Sequence, residues 1–399
     1  MKKTVKDIDI KNKKVIMRVD FNVPLDKETN SKITDTTRVD AAMPTIEYIL
    51  SQGASLILMS HLGRPKGEAN PKYSLKPVYD YLKTKLPNNK VIFANDCIGE
   101  EVKKTAGSLN AGDVLLLENL RYHAEEEKND ANFSKQLADL ADVYVNDAFG
   151  TAHRTHASTA GIVAAKPSMP AVAGFLMEKE IKYLGDSVAE PKRPFVAIIG
   201  GAKVSSKISV LKNLLNKVDT LIVVGGMAYT FFKAKGYEIG TSLCEDDYIQ
   251  TAKEIMDKAK ELNKTLYLPI DNVVADKFDN DANRKIVDCN AIPSGWMGMD
   301  VGEKTLKEIE NILKNAKTIV WNGPLGVFEM SNFAKGTFET AKFIANSGAV
   351  SIIGGGDSVS AVNKSGVADK MTHISTGGGA SLEFLEGIEL PGIKVLQDK

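Results

Sequence analysis

The chain has little with which to build cross-links or metal cages. Its three cysteines, Cys97, Cys244 and Cys289, lie far apart and none belongs to a C-x-x-C pair. Neither a disulfide framework nor a cysteine zinc site is expected, and the thiols read as free in a reducing compartment. There is no excess charge of either sign, with 51 Lys and Arg against 51 Asp and Glu. That disfavours nucleic acid as a partner, although a neutral molecule can still carry a locally basic cleft. No apolar run is long enough to cross a bilayer. The start, Met1-Lys-Lys-Thr-Val-Lys-Asp, has no apolar core of a signal peptide. A cytoplasmic protein with no membrane partner is expected.

What is present is 399 residues of ordinary globular composition, long enough that two domains are expected rather than one core. Apolar, β-branched runs alternate with helical stretches. Strands are expected at Val15–Val19, Ser55–Met59, Val91–Phe93, Val114–Leu117 and Val143–Val145. In the second half they are expected at Phe195–Ile199, Thr220–Val224, Leu266–Leu268, Thr318–Trp321 and Val350–Ile353. Continuous apolar strands separated by helices read as parallel and covered on both faces. The expected class is α/β, with two similar-sized Rossmann-like domains, each a parallel sheet covered by helices, joined by a hinge helix. The helical stretch Glu178–Val188 leads into Glu190-Pro191-Lys192-Arg193-Pro194, a proline-rich junction. The expected division is 1–175, a helix or hinge at 176–190, and a second domain at 191–378.

The most informative segment is Phe195-Val-Ala-Ile-Ile-Gly-Gly-Ala-Lys203-Val-Ser-Ser-Lys207. A strand ends in two glycines, and Lys203 and Lys207 are expected four apart on one face of a following helix. Phosphate is the natural guest of such a start, yet the spacing is not that of a Walker A loop. Alone, the segment is a glycine turn with two solvated lysines. The other strand ends change its weight, because ligands of open α/β sheets gather beyond the carboxyl ends of strands.

In the first half those ends carry Asp20 and Asn22 with Arg38 beyond, His61 and Arg64, Arg121, and His153 with Arg154. Arginine forks suit carboxylate and phosphate oxygens, so a small, multiply negative ligand is implied, with a hydroxyl for Asp20. His123, His156 and the Glu125-Glu-Glu-Lys128 run are assigned structural or solvated roles. In the second half the strands lead instead into glycines: Gly200-Gly201, Gly225-Gly226, Asn322-Gly323-Pro324 and Gly354-Gly355-Gly356-Asp357-Ser358. Such turns bring backbone N–H groups to a ligand, and Asp357 is placed for Mg²⁺ shared with phosphates. No G-x-G-x-x-G dinucleotide signature accompanies them. Gly377-Gly378-Gly379 opens a further helix, as an anion-ready start or a hinge.

Taken in order, Arg18-Val-Asp-Phe-Asn-Val-Pro24, His61-Leu-Gly-Arg-Pro65, Asp147-Ala-Phe-Gly-Thr-Ala-His-Arg154, Gly200-Gly-Ala-Lys-Val204, Gly295-Trp-Met-Gly298, Trp321-Asn-Gly-Pro324 with Gly326-Val-Phe-Glu329, and Gly354-Gly-Gly-Asp357 resemble the phosphoglycerate kinase family over nearly the whole chain. The resemblance implies phosphoryl transfer between 1,3-bisphosphoglycerate and ADP, giving 3-phosphoglycerate and ATP with Mg²⁺, by a monomer. It implies that His61, Arg64, Arg121 and Arg154 hold the distal phosphate, and that Asp20 and Asn22 meet the glycerate hydroxyl and carboxyl. Arg38 and Lys203 would stabilise the transferring group, and Lys207 the nucleotide phosphates. Gly226, Gly298, Asn322, Pro324 and Glu329 would form the nucleotide pocket, with Gly355, Gly356, Asp357 and Ser358 at its Mg-phosphate end. The resemblance also implies that residues 379–399 return to the N-terminal domain. A hinged two-domain binding protein, and a kinase for another carboxylate, remain as alternatives at this point.

Overall fold

In the computed structural model, which describes residues 1–399, the chain divides into two compact units. The first comprises Met1–Ile181 with Glu389–Lys399, and the second Lys182–Ile388. Each is built on a six-stranded parallel sheet.

Across the first sheet the strands run Val91–Phe93, Val114–Leu116, Ser55–Met59, Lys14–Arg18, Val143–Asn146 and Ala171–Ala173. Ser55–Met59 is buried along its whole length, as an apolar strand with helices on both faces must be. The chain adds strands on one side of Lys14–Arg18 and then on the other. The order therefore reverses between Lys14–Arg18 and Val143–Asn146, and the loops after them diverge to leave a crevice. The second sheet repeats the scheme. Its order is Thr265–Tyr267, Thr220–Val223, Phe195–Ile199, Thr318–Asn322, Val350–Gly354 and His373–Ile374, with the reversal between Phe195–Ile199 and Thr318–Asn322. The expected strands are all present to within a residue at either end. The short outer strands Ala171–Ala173 and His373–Ile374 were not expected, because two or three residues give no readable alternation.

An antiparallel excursion was also missed. Asp271–Ala275 pairs with Arg284–Asp288 and Met297–Val301, and Arg284–Asp288 is mostly exposed and charged, so no apolar run marks it. Two buried carboxylates tie this sheet to neighbouring helices. Asp271 accepts from Lys304 N (3.0 Å), Thr305 N (2.9 Å) and Thr305 Oγ1 (2.7 Å), satisfying free N–H groups at the start of helix Glu303–Asn315. Asp300 accepts from Val301 N (2.9 Å) and Gly336 N (2.8 Å).

The connecting helix extends beyond the stretch Glu178–Val188. Helical residues run from Phe175 to Ala189 and widen to a π-helix over Ile181–Asp186, and the division between the units falls inside that segment. At the other end, the return to the first unit begins at Glu389 rather than at 379. Helix Gly379–Leu385 stays with the second unit because Asn213, on helix Ile208–Leu215, donates its Nδ2 to Leu385 O. Beyond it, Gly392 N donates to Ala152 O (2.8 Å) and Gln397 N to Ala171 O (2.9 Å). No helix is long and apolar enough to cross a membrane.

Burial pushes the Asp300 carboxyl up to about 7, against the opposing pull of the Gly336 and Val301 N–H groups. A carboxyl raised on folding stabilises the fold below its unfolded value and loses that contribution as pH rises through the folded one. The stability advantage of wild type over Asp300→Asn should therefore be larger near pH 5 than near pH 7.5, by roughly 2–4 °C in Tm per kcal/mol of linkage. A thermal scan in which the gap is constant or widens toward neutral pH would contradict this.

Candidate functional site

In the first unit the site is assembled from loops at the reversal point. Asp20 follows strand Lys14–Arg18, and its Oδ2 is paired with Arg38 Nη1. Asp20 Oδ1 accepts from Asn22 N (3.2 Å), and Asn22 Oδ1 accepts from Gly63 N (2.9 Å). This stitches the first strand-end loop to the second. Gly63 has φ +61°, and an added Cβ would run into the Tyr73 ring, so only glycine fits there. Arg121 then donates Nη1 to Gly63 O (3.0 Å), and its Nε lies 3.4 Å from Glu127 Oε1. Arg64 and Arg154 are exposed and free to meet a ligand.

Their electrostatics bring these groups to one place. Burial first, then Arg18, Arg121, Arg38 and His156, hold the His61 imidazole well below its ordinary value. Burial, with Arg121, Arg18, Arg154 and His153, pushes His156 down to about 4. Burial also lowers Arg121, with Arg18 and Arg64 adding to the effect. Cations that depress one another across a shared space are arranged for an anion between them.

One residue here contradicts its sequence assignment. Glu126 does not belong to a solvated face: it is 0 % exposed, because the short helix Ala124–Glu127 turns it inward to Ser158 N (2.9 Å) and Ser158 Oγ (2.6 Å). His156, read as structural, sits among the arginines with Nδ1 3.9 Å from Glu126 Oε1. Arg18 was noted only as part of a motif. It is fully buried behind the site, and its place as the last residue of an apolar strand was the available signal.

In the second unit the reversal point is lined by backbone. Gly200 N donates to Asn322 O (2.8 Å). A Cβ on Gly200 would strike Pro324 and Gly323, and one on Gly225 would strike Gly201. Three strand-end turns thus approach as closely as glycine allows. Lys203 and Lys207 do not share a helix face as expected, since helix Ile208–Leu215 begins only after them. The intervening turn is held off the helix by Ser205, which binds the Glu245 carboxylate through N (3.0 Å) and Oγ (2.6 Å), and by Ser206 Oγ on Lys203 O (3.0 Å). Lys207 Nζ donates to Asn322 Oδ1 (2.6 Å). Burial lowers the Lys207 ammonium, with Asp357 and Glu386 pulling the other way. Lys203 is exposed.

Two adjoining cavities share Gly201, Ala202, Pro324 and Asp357 in their walls, so they form one elongated groove. One end, about 560 Å³, is apolar, with Gly226, Tyr229, Leu243, Gly298, Leu325 and Glu329. The other, about 330 Å³, has Lys203, Lys207, Asn322, Gly355, Gly356 and Asp357. Gly298 is packed on the Tyr229 ring, where a Cβ would collide. Asn322 Nδ2 is a buried donor with no partner, suited to an oxygen-rich ligand. Asp357 is exposed in the first turn of helix Gly356–Lys364, and one carboxylate beside phosphate oxygens is a donor set that Mg²⁺ accepts. Ser358 is buried instead, accepting from Gly323 N (2.6 Å), so its hydroxyl holds the turn. Gly377 N donates to Ser375 Oγ (3.1 Å), and Gly378, at φ +53°, and Gly379 are exposed at the start of helix Gly379–Leu385. A larger cavity of about 800 Å³ beside Lys235, Tyr237 and Lys264 contains none of the candidate site residues.

Residues 5–388 match the family model described as phosphoglycerate kinase. A phosphoglycerate kinase of Clostridium botulinum (strain Hall) is 58% identical over 400 residues, covering 100% of this chain and 99% of that protein. The cytosolic phosphoglycerate kinase 3 of Arabidopsis thaliana is 58% identical over 99% of this chain and 98% of its own. The structure of phosphoglycerate kinase from Coxiella burnetii superposes with a TM-score of 0.91 at 41% identity, over 99% of this chain and 98% of that one. That from Pyrococcus horikoshii does so with a TM-score of 0.80 at 34% identity, covering 98% of each. With its whole length matched in sequence and in fold, the chain belongs to the phosphoglycerate kinase family.

Proposed function

We propose that the protein carries out direct, reversible phosphoryl transfer between 1,3-bisphosphoglycerate and MgADP, giving 3-phosphoglycerate and MgATP, and that the residues read from the sequence, Ser358 apart, have the roles expected of them. The observation that carries this reading is the elongated groove of the second unit. It has an apolar end for a base and a lysine and glycine end for phosphates. The cation cluster of the first unit supplies the matching requirement, a site for a small anion that bears a phosphate and a carboxylate. Both are built from one chain's own residues, which favours a monomer as the active species.

In the ATP-consuming direction a carboxylate oxygen of 3-phosphoglycerate attacks the γ-phosphorus, and the bond to the β-phosphate oxygen of ADP breaks. The acceptor is already ionised, so no general base is needed and no proton moves. What the protein must supply is position and charge. His61, Arg64, Arg121 and Arg154 hold the distal phosphate, while Asp20 and Asn22 fix the glycerate. Gly226, Gly298, Pro324 and Glu329 hold the nucleoside, with Glu329 toward the ribose. Lys207 and Asn322 face the phosphates. Mg²⁺ held by the phosphates and Asp357 would neutralise the oxygens that bridge to the transferring group. Arg38 belongs to the first unit and Lys203 to the second, so both units must act on one phosphoryl group, and closure that excludes water is part of the reaction. The backbone N–H groups around Gly377, Gly378 and Gly379 are assigned to that closed state.

A coupled assay with 3-phosphoglycerate, MgATP and an NADH-linked reporter tests the reading directly. Robust turnover is expected, and Arg38→Ala or Lys203→Ala should each lower it by roughly 10²–10⁵-fold. No turnover despite tight MgATP binding would move the acceptor to another carboxylate. Near-normal turnover of Arg38→Ala would remove that residue from the reaction. Lys207→Ala should weaken MgADP binding by about tenfold or more, measured by titration calorimetry, with 3-phosphoglycerate binding unchanged. Equal loss for both ligands would mean a folding defect rather than a lost phosphate contact.

A further inference from the structure

Behind the anion site lies a chain of fully buried polar groups that the transfer reaction does not itself use. The Arg18 guanidinium is 0 % exposed and committed at every nitrogen. Nε donates to Ser158 Oγ (2.8 Å), Nη1 donates to Val19 O, and Nη2 lies 3.2 Å from His61 Nδ1. Ser158 in turn donates Oγ to Glu126 Oε1 (2.6 Å) and N to Oε2 (2.9 Å). Burial raises the Glu126 carboxyl, while the Arg18 charge and the Ser158 hydrogen bonds pull it back, and as a carboxylate it offsets the buried cation.

A guanidinium has donors only. The nitrogen of His61 that meets it must therefore accept, which leaves the ring proton on Nε2. Nε2 has no partner in the chain and is not one of the buried orphaned atoms, so it keeps access to solvent on a ring that feels Arg38, Arg121 and His156. We infer that Arg18 is a positioning residue that locks His61 as the Nε2–H tautomer, so that the ring donates a hydrogen bond to the ligand phosphate, and that Glu126 holds Arg18 in place through Ser158. The inference rests on the reading that His61 meets that phosphate. The opposite tautomer would aim a lone pair at an anion and repel it. The charged and titratable groups facing the ring are Arg18, Arg38, Arg121 and His156, and with burial they keep it neutral. The site thereby has a donor whose strength does not change across the physiological range.

The five histidines make this directly measurable. Long-range ¹H–¹⁵N spectra of ¹⁵N-histidine protein report the tautomer of each ring, and His61 is identified by the signals missing from His61→Gln. In wild type, His61 Nδ1 should be pyridine-like and Nε2 protonated, unchanged between about pH 5.5 and 8.5. Addition of 3-phosphoglycerate should shift Nε2–H alone. Ser158→Ala removes one anchor of Arg18 while leaving a small buried side chain. It should average the two tautomers and raise KM for 3-phosphoglycerate roughly tenfold, with kcat changed much less. A protonated Nδ1, or a His61 ring titrating at its ordinary value, overturns the tautomer assignment. A Ser158→Ala protein with wild-type spectrum and KM overturns the role of the buried chain. Absence of turnover in a wild type that shows the expected tautomer would instead overturn the proposed substrate and leave the tautomer assignment standing.

Discussion

Like charges crowded at the carboxyl ends of the first sheet are the constraint on which that unit depends. Arg18, Arg38, Arg64, Arg121, Arg154 and two imidazoles repel one another in the absence of an anion. The fold answers with specific counterweights. Asp20 pairs with Arg38 and Glu127 lies beside Arg121. Glu126 is buried whole, although an unpaired carboxylate is costly to desolvate, and the imidazoles are left neutral. The strand ends and glycine turns hold the remaining cations on one side of the sheet, which is the arrangement the proposed multiply charged ligand requires.

The second unit combines backbone dipoles with only two lysines. Gly200, Gly225 and Gly323 let three turns meet at the reversal point, and the buried Asn322 side chain joins them to Lys207. Backbone N–H groups in such turns neutralise phosphate oxygens without the mutual repulsion that a second arginine cluster would bring. For the proposed transfer, the first unit offers arginine forks, and the second offers backbone N–H groups beside Lys203 and Lys207.

Much of this was legible along the chain. The apolar runs locate the central strands because burial on both faces demands them, and the residues after each run are placed by topology at one end of a sheet. What could not be read was anything set by a partner distant in sequence. Glu126 looks like its exposed neighbours Glu125 and Glu127 until Ser158 and Arg18 are brought against it. Lys203 and Lys207 have helical spacing, yet Ser205 finds Glu245 and the turn stays open. The Arg284–Asp288 strand is charged and exposed, and it exists because Asp271–Ala275 pairs with it.

The sequence by itself determined the α/β class, the two sheets and which side chains follow each strand end, because hydrophobic periodicity and strand-end position are local properties of the chain. Only the tertiary structure decided which of those groups are charged, which proton a histidine carries, and where the C-terminal segment leaves the second unit. Desolvation, hydrogen-bond partnership and packing depend on neighbours tens to more than a hundred residues away, and they have no signature until the fold brings those neighbours into contact.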